Sequence, residues 1–457
     1  MGGVGLCRVE VDGLVVDVRI DGGVVAEVGP DLRLLANDEV VGGAGGALLP
    51  GLHDHHIHLL ALAAARRSVR VGPPEVVDEQ GFVAVLRAAD EALPPGSWLR
   101  AVGYHESVAG FLDRDRLDGV VGARSVRVQH RSGALWVLNS SALRALGEDP
   151  VGDGRRFGAD DWLRDRLPRD EPPDLAAVGR ELSSYGVTGV TDATPFGRGD
   201  GFEVLAAARA QRHLPQVVQV TGGPGLAGAE APTGLLRGPV KLLLADHDLP
   251  SVEQLVLWIT EAHRHGRPVA VHCVTREALA LALAGWHEAG AARGDRVEHG
   301  AVVDGALAQQ LASLGVTVVT QPGFVAERGD RYLEDVEPAD RPHLWPCRSL
   351  LDAGVRVGAG TDAPFGHPDP WRAVRAATNR RTAGGRVLGA SEAVDPRSAL
   401  ALFLADLTDP GGPPRRVRRG LPADLCLLDA PLEEVLLDPS AEHVVLTVQG
   451  GEIVHRR

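Results

Sequence analysis

Through the middle of the chain, short apolar runs alternate with longer stretches whose apolar residues return every three or four positions. The runs fall at 48–52, 187–192, 216–221, 240–245, 268–272, 296–299, 316–320 and 355–360. Continuous apolar runs of this length read as strands buried on both faces. The intervening stretches, such as 252–265, 275–289 and 304–314, read as amphipathic helices, and Gly266, Gly290 and Gly315 stand where C-caps belong. Strands alternating with helices predict parallel βα units. Eight of them predict an α/β protein built on a (β/α)8 TIM barrel, whose chemistry collects at the C-terminal ends of the strands.

Both ends of the chain have a different texture. Residues 14–18 and 24–28 flank an Asp21-Gly22-Gly23 turn, and 424–429, 444–448 and a hairpin at 449–454 repeat the pattern. We expect a small β-sandwich domain formed from 1–46 and 415–457, with the barrel over 47–414. Residues 60–180 do not fit the eightfold count. They carry strand candidates at 97–102 and 125–130 and a Pro/Asp/Arg-rich patch at 160–173. They read as an insertion after the first barrel strand, placed to hang over the mouth of the active site.

Composition narrows the function. With 457 residues, 44% hydrophobic and 24% charged, the chain can bury a large core. A formal net charge of −14 excludes nucleic acid or an anionic membrane as the main partner. No signal peptide and no bilayer-spanning apolar run is apparent. Cys7, Cys273, Cys347 and Cys426 are scattered, as reduced thiols of a cytoplasmic protein would be. Oligomeric state is not legible, and a homo-oligomer is compatible with everything above.

Candidate chemistry sits at the ends of the apolar runs. The first leads into His53-Asp54-His55-His56-Ile57-His58. Strict alternation would place Asp54, His56 and His58 on one face and His53, His55 and Ile57 on the other. A His-x-His pair on a strand offers two imidazoles to one ion, which suits zinc and its first-row neighbours. Lys241 opens the fourth run, His272 closes the fifth, His299 closes the sixth and Asp362 follows the eighth. Singly, each has a bland explanation: a satisfied core histidine, a capping aspartate, a snorkelling lysine. As a set they agree in order, strand-end position and ligand type. Lys241 is the only lysine in a chain that otherwise uses arginine. A desolvated lysine can lose its proton, which arginine cannot. The neutral amine can add carbon dioxide to give an anionic carbamate with two oxygens. A Schiff-base role is also open to a buried lysine, but four histidines around it favour metal.

These residues resemble the metal-dependent amidohydrolase superfamily, and within it the YtcJ-like branch, amidohydrolase family 3. The matching pieces are Pro50-Gly51-Leu52-x-Asp54-x-His56-x-His58, Val240-Lys241, Val271-His272, Glu298-His299-Gly300, Gln321-Pro322 and Gly360-Thr361-Asp362-Ala363-Pro364-Phe365 with Asp369-Pro370-Trp371. The segment Leu135-Trp136-Val137-Leu138-Asn139-Ser140-Ser141-Ala142-Leu143 resembles the branch's Trp-Val-Asn-Ser-Ala-Leu segment, although Gly133-Ala134 stands where many relatives carry a histidine. Gly420-Leu421-Pro422-Ala423-Asp424-Leu425 looks like the usual return into the small β domain. The resemblance implies two divalent metal ions, expected to be zinc. His56, His58 and Asp362 would hold one, His272 and His299 the other, and carboxylated Lys241 would bridge them. It implies hydrolysis of a non-peptide, amide-type C–N bond of a small molecule by a metal-activated hydroxide, with Asp362 as the proton carrier.

Trp136, Asn139, Phe365 and Trp371 are the candidates for contacts with substrate, since aromatics commonly line such clefts. Two rival readings stand beside the hydrolase. One is a mononuclear deaminase of an amino-substituted ring, which would not need Lys241. The other is a non-catalytic metal-binding scaffold.

Overall fold

The computed structural model describes residues 2–168, 173–246 and 248–457, so 169–172 of the Pro/Asp/Arg-rich patch lie outside the described residues. The chain separates into two compact units, Met1–Leu59 with Leu175–Arg457, and Leu60–Asp174.

In the first unit the parallel strands follow one another in chain order. We number them β1 (Leu52–Ile57), β2 (Val187–Asp192), β3 (Val217–Val220), β4 (Val240–Leu243), β5 (Val269–Cys273), β6 (Arg296–His299), β7 (Thr317–Thr320) and β8 (Val357–Ala359). β1, β2 and β3 form one sheet with Leu236–Arg237, and β4 to β8 form a second. Main-chain bonds cross both seams. Lys241 N donates to Gly222 O at 2.8 Å, while Asp362 N donates to His56 O at 2.8 Å and His58 N to Ala363 O at 2.9 Å. Every residue of β1, β2, β6, β7 and β8 is buried, as strands covered on both faces must be. The helices start where their caps allow. Ser251, Thr275 and Asp304 each accept a main-chain N–H ahead of Val252–Arg264, Arg276–Ala289 and Gly305–Leu314. Gly315 takes the left-handed conformation that closes the last of these.

The run expected as one strand at 48–52 is two. Leu48–Pro50 pairs antiparallel with Leu425–Leu428, and the histidine-rich stretch that follows is itself β1. The break falls at Gly51, where a Cβ would sit 2.1 Å from the Thr188 side chain. A second departure lies inside β1. Its pairing with β2 runs Asp54↔Val190 and then Ile57↔Asp192, three steps against two. This is a bulge, and it interrupts the twofold alternation between Asp54 and Ile57. The two-face assignment for the histidines therefore does not hold along the whole strand.

Two four-stranded sheets come from the chain ends, one ordered Val24–Gly29, Leu14–Asp21, Val4–Val11, Glu39–Gly42 and the other Glu452–Arg456, Val444–Gln449, Leu425–Leu428, Leu48–Pro50. They share one apolar core that includes Leu6, Val18, Leu48, Leu425 and Leu446. The second unit holds a five-stranded sheet ordered Arg155–Phe157, Leu135–Leu138, Val126–His130, Leu99–Tyr104, Val69–Arg70, with Glu79–Ala92 contributing Phe82 and Leu86 to its core. Among the described residues no helix is long and apolar enough to cross a membrane.

Candidate metal centre

The C-terminal ends of β1, β5, β6 and β8 and the start of β4 bring His56, His58, Lys241, His272, His299 and Asp362 together. Asp362 Oδ1 lies 3.2 Å from His58 Nε2 and 3.5 Å from His56 Nε2. Donors bound at ~2.1 Å to one tetrahedral ion stand ~3.4 Å apart, so this trio has the spacing of a shared ligand set. The His56 and His299 rings are 4.8 Å apart and the His272 and His299 rings 4.4 Å apart, centre to centre. His56, His299 and Asp362 also have donor atoms within 4.8 Å of one another. That trio joins the two ligand groups suggested by the sequence.

Three donors are buried without any hydrogen-bond partner among the described residues: His56 Nε2, Lys241 Nζ and Asp362 Oδ1. Native interiors rarely leave such atoms unsatisfied. A cation between them would satisfy the imidazole and the carboxylate at once, so the residues fit the expected metal. Lys241 fits after carboxylation.

Three of the four histidines are oriented from behind. His56 Nδ1 is 2.5 Å from Glu298 Oε2, His299 Nδ1 is 2.7 Å from Gln321 Oε1, and His58 Nδ1 is 3.0 Å from Thr194 Oγ1. An acceptor behind Nδ1 fixes the proton there and leaves Nε2 as the lone-pair donor. Glu298 in turn accepts from Arg296 Nε at 2.7 Å, and both are buried. Asp54 supports the other side. Its carboxylate accepts from Thr361 N at 3.0 Å, Thr361 Oγ1 at 2.5 Å and His56 N at 3.1 Å, tying β1 to the loop that carries Asp362. Gly360 permits that approach, because a Cβ there would lie 2.5 Å from His56 Cβ and 2.6 Å from its N. His299 (φ 73°) and Asp362 (φ 55°) both adopt left-handed backbone, which costs about 1–3 kcal/mol each in a non-glycine residue.

Burial sets the charge states that ligands need. It pushes His272 down to about 3 and lowers His56, a change that Lys241 reinforces. His299 falls well below the usual imidazole value through burial and the neighbouring His272 and His56. The Lys241 ammonium is lowered by burial, although Glu298 and Asp362 oppose the change. Burial works against ionising Glu298, but Arg296, His56 and Lys241 override it and hold the carboxyl well below its ordinary range. Asp362 is likewise lowered against its burial, chiefly by the adjacent His58 imidazole and by His56. Neutral imidazoles, a lysine inclined to give up its proton and ionised carboxylates are the charge states that a cation site requires.

The substrate candidates divide. The Phe365 ring stands edge-on to His58, 5.4 Å between centres, with Arg328 Nη2 donating to the Phe365 carbonyl at 2.5 Å. Trp371 is fully buried and its indole N–H donates to Tyr185 O at 3.0 Å, so it serves the core and not a ligand surface. In the second unit Trp136 is buried, donates to Asp160 Oδ1 at 3.0 Å and lies beneath the Arg100 and Arg127 guanidiniums. Asn139 is buried, and its amide binds Val126 N, Ala142 N, Val121 O and Arg124 O. That pins a helix start to its sheet and leaves the amide no free valence for substrate. Of the supporting residues, Asp54, Glu298 and Gln321 stood within the motifs quoted from sequence but without a role, and Thr194 was not named.

The model of the amidohydrolase family matches residues 39–455. The chain is 25% identical over 487 residues to the N-substituted formamide deformylase of Arthrobacter pascens, covering 90% of this chain and 89% of that one. It is 23% identical over 478 residues to the YtcJ protein of Bacillus subtilis (strain 168), covering 90% of each. An uncharacterized metal-dependent hydrolase of Pyrococcus horikoshii OT3 has the same fold, with a TM-score of 0.74 at 18% identity and 99% of both chains covered. The chain belongs to the amidohydrolase family, as a hydrolase of carbon–nitrogen bonds.

Proposed function

We propose that the chain hydrolyses a small N-acyl compound, an N-substituted formamide or a related amide, at a centre of two divalent ions, expected to be zinc. His56, His58 and Asp362 would hold one ion and His272 and His299 the other, and Lys241 as its carbamate would supply a further anionic ligand to them. The observation that carries this reading is the set of buried, unpartnered donors on His56, Lys241 and Asp362. The printed name of the Arthrobacter pascens relative supports the substrate class. We read the two parallel sheets as one closed barrel and the two terminal sheets as a β-sandwich. The four free cysteines support a cytoplasmic setting.

Divalent ions at these donors supply Lewis acidity and a water of lowered pKa. The chain's own residues do the rest. The Lys241 ammonium gives up one proton, its neutral Nζ forms a bond to the carbon of carbon dioxide as one C=O π bond opens, and a second proton leaves the nitrogen, so that one negative charge shared by two oxygens stands where an ammonium stood. Asp362, ionised and at the centre of the imidazoles, takes the proton of the attacking water as the C–O bond forms. It then passes that proton to the departing nitrogen as the C–N bond breaks. Glu298, Gln321 and Thr194 keep the imidazoles aimed throughout. Phe365 offers an apolar wall beside His58 for the acyl side of the substrate.

A single-ion reading has one observation in its favour, the mutual closeness of His56, His299 and Asp362. It predicts one metal per chain and deamination of an amino-substituted ring. Metal content measured on the purified chain, with a screen of N-formyl amines, N-acyl amino acids, cyclic imides and aminated heterocycles, tests both. Two metals and amine release from acyl substrates support the hydrolase. One metal with ammonia release from a ring sinks it.

A further inference from the structure

A half-open cavity of about 370 Å³ lies at the opposite ends of the strands, bordered by Pro239 ahead of β4, Pro268 ahead of β5 and Gly294 ahead of β6. Three arginines line it: Arg237, Arg293 and Arg296. In barrels of this kind that end usually serves stability, and a cluster of guanidiniums there is out of keeping with a chain of net charge −14. Arg296 is only 2% exposed and gives its Nε to Glu298, but its Nη2 is buried with no partner among the described residues. Arg237 Nε is buried and unpartnered as well, while its Nη2 donates to Ala227 O at 3.0 Å and its Nη1 meets the exposed Glu230. Arg293 has no acidic partner among the described residues and stands at the rim. The one acid on the lining, Asp409, is already engaged by Arg356. Gln219 accepts the Thr191 hydroxyl through Oε1, which leaves its amide N–H groups as further donors.

We propose that this cavity is a binding site for a small multivalent oxyanion, of the organic phosphate or polycarboxylate class. Guanidiniums with unspent N–H groups match such oxygens in paired geometry. The volume exceeds that of bare phosphate and falls within the range of small-molecule pockets. Arg296 and His299 are the first and last residues of β6. At about 3.3 Å per residue they stand roughly 10 Å apart, so the anion site is separate from the metal centre.

The test is calorimetric titration of the metal-loaded full chain with inorganic phosphate and with citrate, at constant ionic strength in chloride. Arg293→Gln and Arg237→Gln are compared with the parent, and folding is checked by circular dichroism. Arg296 is left intact because it also holds Glu298. His58→Ala reports any anion bound at the metals instead. Saturable binding of either anion, weakened about tenfold in an arginine variant and retained in His58→Ala, is the expected result; loss of one charge-assisted hydrogen bond is of that size. Three results overturn the proposal: no saturable binding of either anion, less than about threefold weakening in both arginine variants, or binding abolished by His58→Ala.

Discussion

Glu298→Gln is the sharpest probe of how the centre is held. The Glu298 carboxylate accepts from His56 at 2.5 Å and from Arg296 at 2.7 Å, and all three side chains are buried. Glutamine keeps the shape but has one acceptor oxygen and one donor nitrogen. Both neighbours donate, so one of them must face the amide N–H groups. If His56 keeps the oxygen, Arg296 is left charged, buried and without a counter-charge. Breaking a buried pair in this way costs about 3–5 kcal/mol. The lower end applies here, since Arg296 also borders a cavity from which water can reach it. If Arg296 keeps the oxygen, His56 loses the acceptor that fixes its tautomer, and metal affinity falls about 10–100-fold. Urea unfolding of the metal-free chain reads the first effect, and zinc competition against a chelator reads the second. The variant must show one or both. A change below about 1 kcal/mol together with unaltered zinc affinity would falsify the assignment of Glu298 as a positioning residue.

Other outcomes follow from the same geometry. Lys241→Ala abolishes turnover and is partly rescued by short carboxylic acids with added metal, whereas Lys241→Arg stays dead; a fully active arginine variant holding two metals removes the carbamate from the scheme. Gly360→Ala forces a methyl against the His56 backbone, so stability drops by about 1–3 kcal/mol in urea and metal content falls with it, while an unchanged variant shows that β1 yields freely. His55 is buried with neither ring nitrogen bonded among the described residues, and burial lowers it to about 3. Below pH 6.5 the unfolded chain takes up a proton there that the native chain refuses, so stability falls as pH falls. By pH 5 this amounts to about 2 kcal/mol. In His55→Leu the drop in unfolding free energy between pH 7.5 and 5 shrinks by that amount, and an identical drop in both proteins refutes the account.

The candidate ligands were legible because metal chemistry restricts residue type, and parallel βα units restrict where such residues stand. His56, His58, Lys241, His272, His299 and Asp362 each sit at a strand end in a chain whose strands are otherwise apolar. What supports them was not legible. Glu298 meets His56 across 242 positions, a pairing set by how the strands neighbour one another and not by any local pattern. The bulge in β1 adds a residue without changing composition, so strict alternation could not be carried through the strand from sequence alone. Leu48–Pro50 is as apolar as the parallel strands but pairs in a terminal sheet. Trp371 and Asn139 show the opposite ambiguity, since a large aromatic and a buried amide serve packing and capping as readily as recognition.

The main-chain join at Gly51 bears on biosynthesis. Gly51 N bonds Asp424 O, its carbonyl receives Arg415, and the strand before it pairs with Leu425–Leu428. The ribosome releases the histidine strand some 370 residues before the segment that anchors it. The strand that carries the candidate ligands therefore gains this anchor only once residues 415–428 have been made.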